Sequence, residues 1–232
     1  GLAKLFLKDN SIRGAFVQAA FRGSAAVFGI AFIVNIYGSS GMAPLMIIGA
    51  VPLYNIYSVI VLTFEANSES DGKHTLKQAF INICTNPILL AIVIASIWSL
   101  AGFYEKTPVL ITKTIDNFAK MASPLALVCI GVTFEGKKAI AKLKPALIAS
   151  IYKLLIQPAI FLPIAISMGF TKEKLIALII MLGSPTTPSC YIMAKNMNND
   201  GVLTSSIVVL TTLCSAITLT LWIFIVKSLG YL

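Results

Sequence analysis

Long apolar runs, each cut short by a small polar cluster, set the organisation of this chain. The first covers about residues 15–37, is interrupted by Arg22, Gly23 and Ser24, and ends in a glycine-containing turn at 38–41. The second, about 42–64, carries Pro44, Pro52 and Asn55. Residues 65–77 form the most polar stretch and predict a loop. A third run, about 81–103, has Asn86-Pro87 in its first turns. Residues 108–120 place Lys113, Asp116, Asn117 and Lys120 at spacings of three and four, the polar stripe of an interfacial helix, and 121–134 continue apolar. A basic loop is predicted at 135–144. Three more apolar runs follow, at about 145–170 with Lys153, Gln157, Pro158 and Pro163, 175–194 with Pro185 and Pro188, and 202–229. Runs of about 20 apolar residues are the length needed to cross a bilayer as helix. The pattern therefore predicts an all-α polytopic membrane protein.

Composition supports that choice of solvent. Of 232 residues, 57% are hydrophobic and 12% charged, against roughly 25% charged in an ordinary soluble domain. With a mean hydropathy of +0.89, no stretch is polar enough to fold as a separate soluble domain, which excludes a soluble enzyme, a nucleic-acid module or a disordered tail. The formal charge of +9 then reads as orientation bias, with no nucleic-acid partner expected. With 1–14 on the cytoplasmic side, alternation of seven spans puts ten of the 18 Lys and Arg residues there, including the four lysines of 135–144. Six fall on the other side, while Arg22 and Lys153 lie within spans. The four cysteines lie in apolar stretches without metal-ligand or disulfide spacing and read as small buried hydrophobes. The opening Gly-Leu-Ala-Lys-Leu-Phe-Leu-Lys reads as the tail of a preceding helix, so an N-terminally incomplete chain is expected.

Sliding the chain against itself by 160 positions lays residues 23–64 on 183–224 without a gap. Gly23 meets Gly183, Ser24 meets Ser184, Gly41 meets Gly201 and Phe64 meets Phe224. Such identities come cheaply in apolar sequence. The shared plan is more telling: an interrupted span, a glycine-containing turn, then a long apolar helix. Interrupted spans at matching places in two halves point to the binding site of a carrier.

Candidate chemistry narrows to hydroxyls, backbone and two cations. All nine acidic residues are expected in loops or at helix ends, and His74 lies in the polar loop. No acid or base is then placed within a span to activate a nucleophile or bind a metal, so neither an enzyme nor a cofactor is expected. In Gly183-Ser184-Pro185-Thr186-Thr187-Pro188-Ser189-Cys190-Tyr191, two prolines remove backbone donors and make an unbroken helix improbable. Two readings stand. Freed amides at a resuming half-helix, with Ser184, Thr186, Thr187 and Ser189, could hold an anion, or these hydroxyls could simply satisfy a proline kink. For Phe21-Arg22-Gly23-Ser24 through Gly29, a small-residue packing face competes with a binding role. Arg22 and Lys153 each sit within about two turns of the expected cytoplasmic end of their helix, where they could snorkel or attract an anion. Asn55 and Gln157 read as bridges between helices.

These residues resemble the auxin efflux carrier family, which includes plant auxin exporters and bacterial permeases. The likeness rests on Ala20-Phe21-Arg22-Gly23-Ser24 with Gly29, Tyr37 and Gly38, then Val51-Pro52-Leu53-Tyr54-Asn55 and Asn86-Pro87-Ile88. It continues through Ser123-Pro124-Leu125-Ala126-Leu127 with Ile130-Gly131, and Pro185 followed by Tyr191-Ile192-Met193-Ala194-Lys195. The chain differs from the family's common pattern at Ser24 and Ala31, where asparagine and proline are usual, and from its plant members at Cys190, where they carry proline. The resemblance implies an inverted-repeat carrier with two broken crossover helices, about seven of ten helices being present. In that scheme residues 1–64 end the first repeat, 65–77 and 135–144 are cytoplasmic loops, 78–134 are scaffold-type helices, and 145–232 are transport-domain helices. The implied function is secondary transport of a small organic anion, auxin-like or a mono- or dicarboxylate such as malate, by a multi-pass plasma-membrane protein that could form a homodimer. Its substrate site would use Ser24, Gly29, Ser184, Pro185, Thr186, Thr187 and Ser189, with Arg22 and Lys153 as candidate anion-attracting charges. The alternative is a nonfunctional fragment or accessory membrane subunit lacking the first three helices.

Overall fold

The computed structural model describes residues 3, 7, 9–25, 33–34, 42–66, 72–132 and 134–232. Among them there are helices and no strand. A short 3-10 turn, Asn10–Ile12, leads into α1 (Arg13–Phe21), followed by α2 (Ala43–Ala66), α3 (Gly72–Thr85), α4 (Pro87–Leu100) and the one-turn α5 (Phe103–Lys106). Next come α6 (Val109–Val132), the short α7 (Gly136–Ala141) and α8 (Leu143–Ser167). The chain closes with α9 (Lys172–Gly183), α10 (Ser189–Asn196) and α11 (Gly201–Ser228).

Four of the described helices, α2, α6, α8 and α11, are long and apolar enough to cross a membrane. The others fall short for a local reason. Asn86 caps α4, its side chain accepting from the amides of Ile88 (3.0 Å) and Leu89 (3.2 Å), and Pro87 occupies the first turn, so one apolar run becomes two helices. The run over 175–194 is likewise divided at Ser184–Pro188. Large apolar side chains face outward along the helices, among them Leu100 (89% exposed) and Ile217 (74%), as expected where the surrounding solvent is lipid rather than water.

Three regions differ from the sequence-based expectation, and one of them is the loop expected at 135–144, where Gly136–Ala141 are helical and a further helix begins at Leu143. The interfacial helix and apolar run expected at 108–134 form one continuous 24-residue helix, α6. Asp116 therefore sits inside a helix of spanning length rather than in a loop. Its exposed carboxylate pairs with Lys120 one turn on at 2.5 Å, and the i,i+4 spacing lets one charge accompany the other. Helix also begins at Gly72, within the polar stretch expected to be a loop. Three of the four cysteines, Cys84, Cys129 and Cys214, are exposed on the outer faces of their helices, and Cys190 alone is buried.

The interior that positions the site is built from small residues. Ala15, Ala19 and Ala20 of α1 lie against Ala146 and Ala149 of α8 and against Leu203 and Ile207 of α11, all of them buried. Alanine faces let backbones approach closely, which substitutes for the hydrophobic driving force that lipid does not provide. In α8, Tyr152–Ile156 form a π-helical turn just before Pro158. Pro158 has no amide to give the carbonyl of Leu154, and the indole Nε1 of Trp222 on α11 donates to that carbonyl instead at 2.9 Å. Lys153 lies within this turn and is buried, on the same face as Ala146, Ala149 and Ser150.

Candidate functional site

Two interruptions meet in the centre of the packed helices. The helical path of α1 stops at Phe21, and Arg22 is already extended (φ −82°, ψ 127°). That of α9 stops at Gly183, Ser184 is extended (φ −65°, ψ 149°), and helix resumes at Ser189. Pro185 forces the second break, because it cannot donate to the carbonyl of Met181. The amide of Ser24 donates to the carbonyl of Pro185 at 2.8 Å, so each broken strand satisfies the other. Thr186 fixes the same junction twice. Its Oγ1 donates to the carbonyl of Ala19 at 2.8 Å, and its amide donates to Oγ1 of Thr211 at 3.1 Å. Thr211 in turn donates to the carbonyl of Ile207, one turn earlier on α11.

Gly23 is required at this crossing. A Cβ there would stand 2.6 Å from Ser184 Oγ, 3.1 Å from Lys153 Nζ and 3.1 Å from the carbonyl oxygen of Met181. The Ser184 hydroxyl is fully buried and, among the described residues, has no hydrogen-bond partner.

A cavity of about 210 Å³ opens beside the crossing. Arg22, Ser24, Asn55, Thr187 and Ser189 give it a polar wall, and Ile47, Val51, Tyr54, Ile88 and Met181 an apolar one. Thr187 and Ser189 are half-buried, their hydroxyls 3.2 Å apart. Ser184, Pro185 and Thr186 do not line the cavity; they hold the crossing behind it. The half-helix α10 begins at this wall, but the amides of Cys190 and Tyr191 are engaged by the carbonyls of Thr187 and Pro188. Gly29 lies outside the described residues, as does the rest of the span that follows Ala25 up to Ile33.

Arg22 and Lys153 are both enclosed by protein. Arg22 is 5% exposed and Lys153 0%. Arg22 donates through Nη2 to Asn55 Oδ1 (2.7 Å) and through Nη1 to Met193 Sδ (2.7 Å) and Ser58 Oγ (3.4 Å). Lys153 donates to the carbonyl of Phe21 (3.4 Å) and to Gln157 Oε1 (3.3 Å). Among the described residues neither has a carboxylate partner. The ion pairs lie elsewhere, Arg13 with Glu65 and Lys142 with Asp200 near helix termini, and Asp116 with Lys120 and Lys138 with Glu135 on the surface.

Several residues of the site lack a motif that would mark them. Thr211 is one hydroxyl among many on the last helix. Tyr54 and Ile88 sit inside family-like segments but gain their role only because α2 and α4 bring them to the crossing. Asn55 was expected to bridge helices, and it does so by accepting from Arg22.

Among the described residues, the polar wall of this cavity is made of three hydroxyls, one amide and one guanidinium. Among the described residues no group of His, Cys, Asp and Glu could hold a metal ion. No curated protein matches the sequence. The family described as "Membrane transport protein" matches residues 2–223, nearly the whole chain. The chain therefore belongs to the auxin efflux carrier family of membrane transport proteins and is an integral, multi-pass membrane transporter.

Proposed function

We propose that this protein is a secondary transporter of a small organic anion, a mono- or dicarboxylate, working by alternating access around the crossing of its two broken helices. The observation that carries this reading is Arg22. Its guanidinium is buried on the cavity wall and, among the described residues, is bonded only to neutral acceptors. A buried cation without a counter-charge is costly, and an entering anion would remove that cost. Ser24, Thr187 and Ser189 supply hydroxyls along the same wall, while Val51, Tyr54 and Ile88 face the apolar part of the solute. The cavity volume, below the roughly 300 Å³ at which drug-sized pockets begin, favours a solute of modest size.

Ser184, Pro185 and Thr186 act on the solute indirectly by fixing the crossing, and Lys153 adds positive potential from behind it. The transport-domain helices of 145–232 would move against the scaffold-type helices of 78–134.

The full-length protein reconstituted in vesicles tests this. Uptake of labelled monocarboxylates, dicarboxylates and indole-3-acetate is measured for the wild type and for Ser24→Ala and Thr186→Val. Saturable uptake of at least one anion, reduced in both variants, is expected. Absence of uptake for every anion, with folded protein in the vesicles, overturns the reading.

A further inference from the structure

The acceptors that hold Arg22 are unequal. Asn55 Oδ1 accepts at 2.7 Å and is itself fixed, because Asn55 Nδ2 donates to the carbonyl of Val51 at 2.8 Å. Ser58 Oγ stands at 3.4 Å, long for a hydrogen bond, and gives its own proton to the carbonyl of Tyr54. The third acceptor is the thioether of Met193, which takes Nη1, and a thioether accepts weakly. Met193 belongs to α10, is buried and does not line the cavity. A stronger acceptor lies beside it unused. Gln18 is fully buried one turn before Arg22, whose amide donates to the Gln18 carbonyl at 3.1 Å. Its Nε2 donates to the same Met193 sulfur at 3.8 Å. Its Oε1 is buried and, among the described residues, has no hydrogen-bond partner. Such orphans are few in folded proteins, because an unpaired buried acceptor lowers stability. A guanidinium, an amide and a thioether thus meet in one small group, where the cation is bonded to sulfur and the amide oxygen to nothing.

We propose that Met193 is a positioning residue that sets the anion affinity of the cavity by holding Arg22 weakly, which rests on Arg22 being the charge that meets the anion. When the carboxylate of a solute enters, Nη1 leaves the sulfur for an ionised oxygen, a far stronger partner for a guanidinium. Little is lost in the exchange, because the bond given up is weak. The sulfur keeps a donor, since Gln18 Nε2 already points at it. A strong acceptor at position 193 would instead satisfy the guanidinium before any solute arrived, and the cavity would lose its attraction for an anion. Met193 touches neither the solute nor the cavity, and its whole effect passes through Arg22.

The test is anion affinity and Tm measured side by side on the full-length protein. Labelled acetate, malate and indole-3-acetate are offered to wild-type vesicles, and the anion taken up is used for the variants. Met193→Gln brings an oxygen to Arg22 Nη1 and an amide donor to the orphaned Gln18 Oε1. It should unfold at or above the wild-type Tm, yet bind the anion at least about fivefold more weakly. Met193→Leu keeps the volume and removes the acceptor. It should unfold below the wild type and bind about fivefold more tightly, because the cation is less satisfied when the cavity is empty. A residue that only filled space would move affinity and stability in the same direction. Met193→Gln with wild-type or higher affinity overturns the proposal, and so does Met193→Leu with wild-type or lower affinity. Either variant decides alone if the other is not recovered folded. Arg22→Gln separates the two levels. If it keeps wild-type affinity, or if the wild type takes up none of the three anions, the anion-binding role of Arg22 fails and that of Met193 with it. If Arg22→Gln loses affinity while the Met193 variants do not part in the stated directions, the role of Met193 alone fails.

Discussion

The amide of Ser24 donates to the carbonyl of Pro185, 161 positions along the chain, across 2.8 Å. Neither residue is helical, and this bond exists because both helices are broken at the place where they cross. A proline supplies the acceptor at the position where it interrupts its own helix. The same junction is fixed by Thr186 and spaced by Gly23, so the geometry of the cavity depends on a few backbone contacts rather than on the bulk of the apolar core.

Gly23→Ala should therefore destabilise the protein although it adds only a methyl group. The new Cβ would sit 3.1 Å from the Met181 carbonyl and 2.6 Å from Ser184 Oγ, and such overpacking costs about 1–3 kcal/mol. Gly49→Ala on α2 is the matched control. A Cβ there meets nothing within 4 Å, and exchanging glycine for alanine inside a helix stabilises by about 0.8–1.0 kcal/mol. Thermal unfolding should move the two variants in opposite directions.

Thr211→Val should lower stability by about 1–3 kcal/mol, because the buried Thr186 amide loses the hydroxyl it donates to. Thr211→Ser keeps the oxygen and should retain most of the stability. If valine and serine behave alike in thermal unfolding, the hydrogen bond is not what Thr211 contributes.

Trp222 and Pro158 should be coupled. Trp222→Phe leaves the Leu154 carbonyl, orphaned by Pro158, without its donor, at a cost of about 1–3 kcal/mol. In a Pro158→Ala background the alanine amide can take over that carbonyl, and the same tryptophan change should cost less. A double-mutant cycle on Tm reads the difference, and additivity of the two changes would contradict the coupling.

Asp200 carries two roles that substitutions can separate. Its side chain accepts from the amide of Leu203 at 2.8 Å, capping α11, and it pairs with Lys142. Asp200→Asn keeps a capping oxygen and loses the ion pair, whereas Asp200→Ala loses both. The alanine variant should be less stable than the asparagine variant by about 0.5–2 kcal/mol, the range found for helix caps.

Much of this was legible in the chain. Pro185 and Pro188 announce a break because proline chemistry is local, and Gly23-Ser24 matches it at a fixed offset in the sequence. Asn86-Pro87 likewise marks the start of α4, although the division of that run into two helices depends on the cap. The fate of Arg22 and Lys153 was not legible. Distance from a helix end suggested snorkelling or an anion-attracting role, and that both side chains are buried follows only from the packing around them. Lys153 continues the buried face of Ala146, Ala149 and Ser150 at helical spacing, but hydropathy marks a lysine as a residue to be kept out of that face. Asp116 was misplaced for a related reason. A polar stripe on a helix surface looks the same whether the helix stops at an interface or continues for another three turns.

The central claim is that Arg22 presents an uncompensated positive charge to an anion in the cavity. Its most direct measurement is the affinity for whichever labelled anion the vesicles take up, compared between the wild type and Arg22→Gln at matched protein content and matched Tm. Removing one member of a buried charge pair costs 2 kcal/mol or more, so binding should weaken by about 30-fold or more. An Arg22→Gln protein that binds and transports the anion with wild-type affinity would contradict the account.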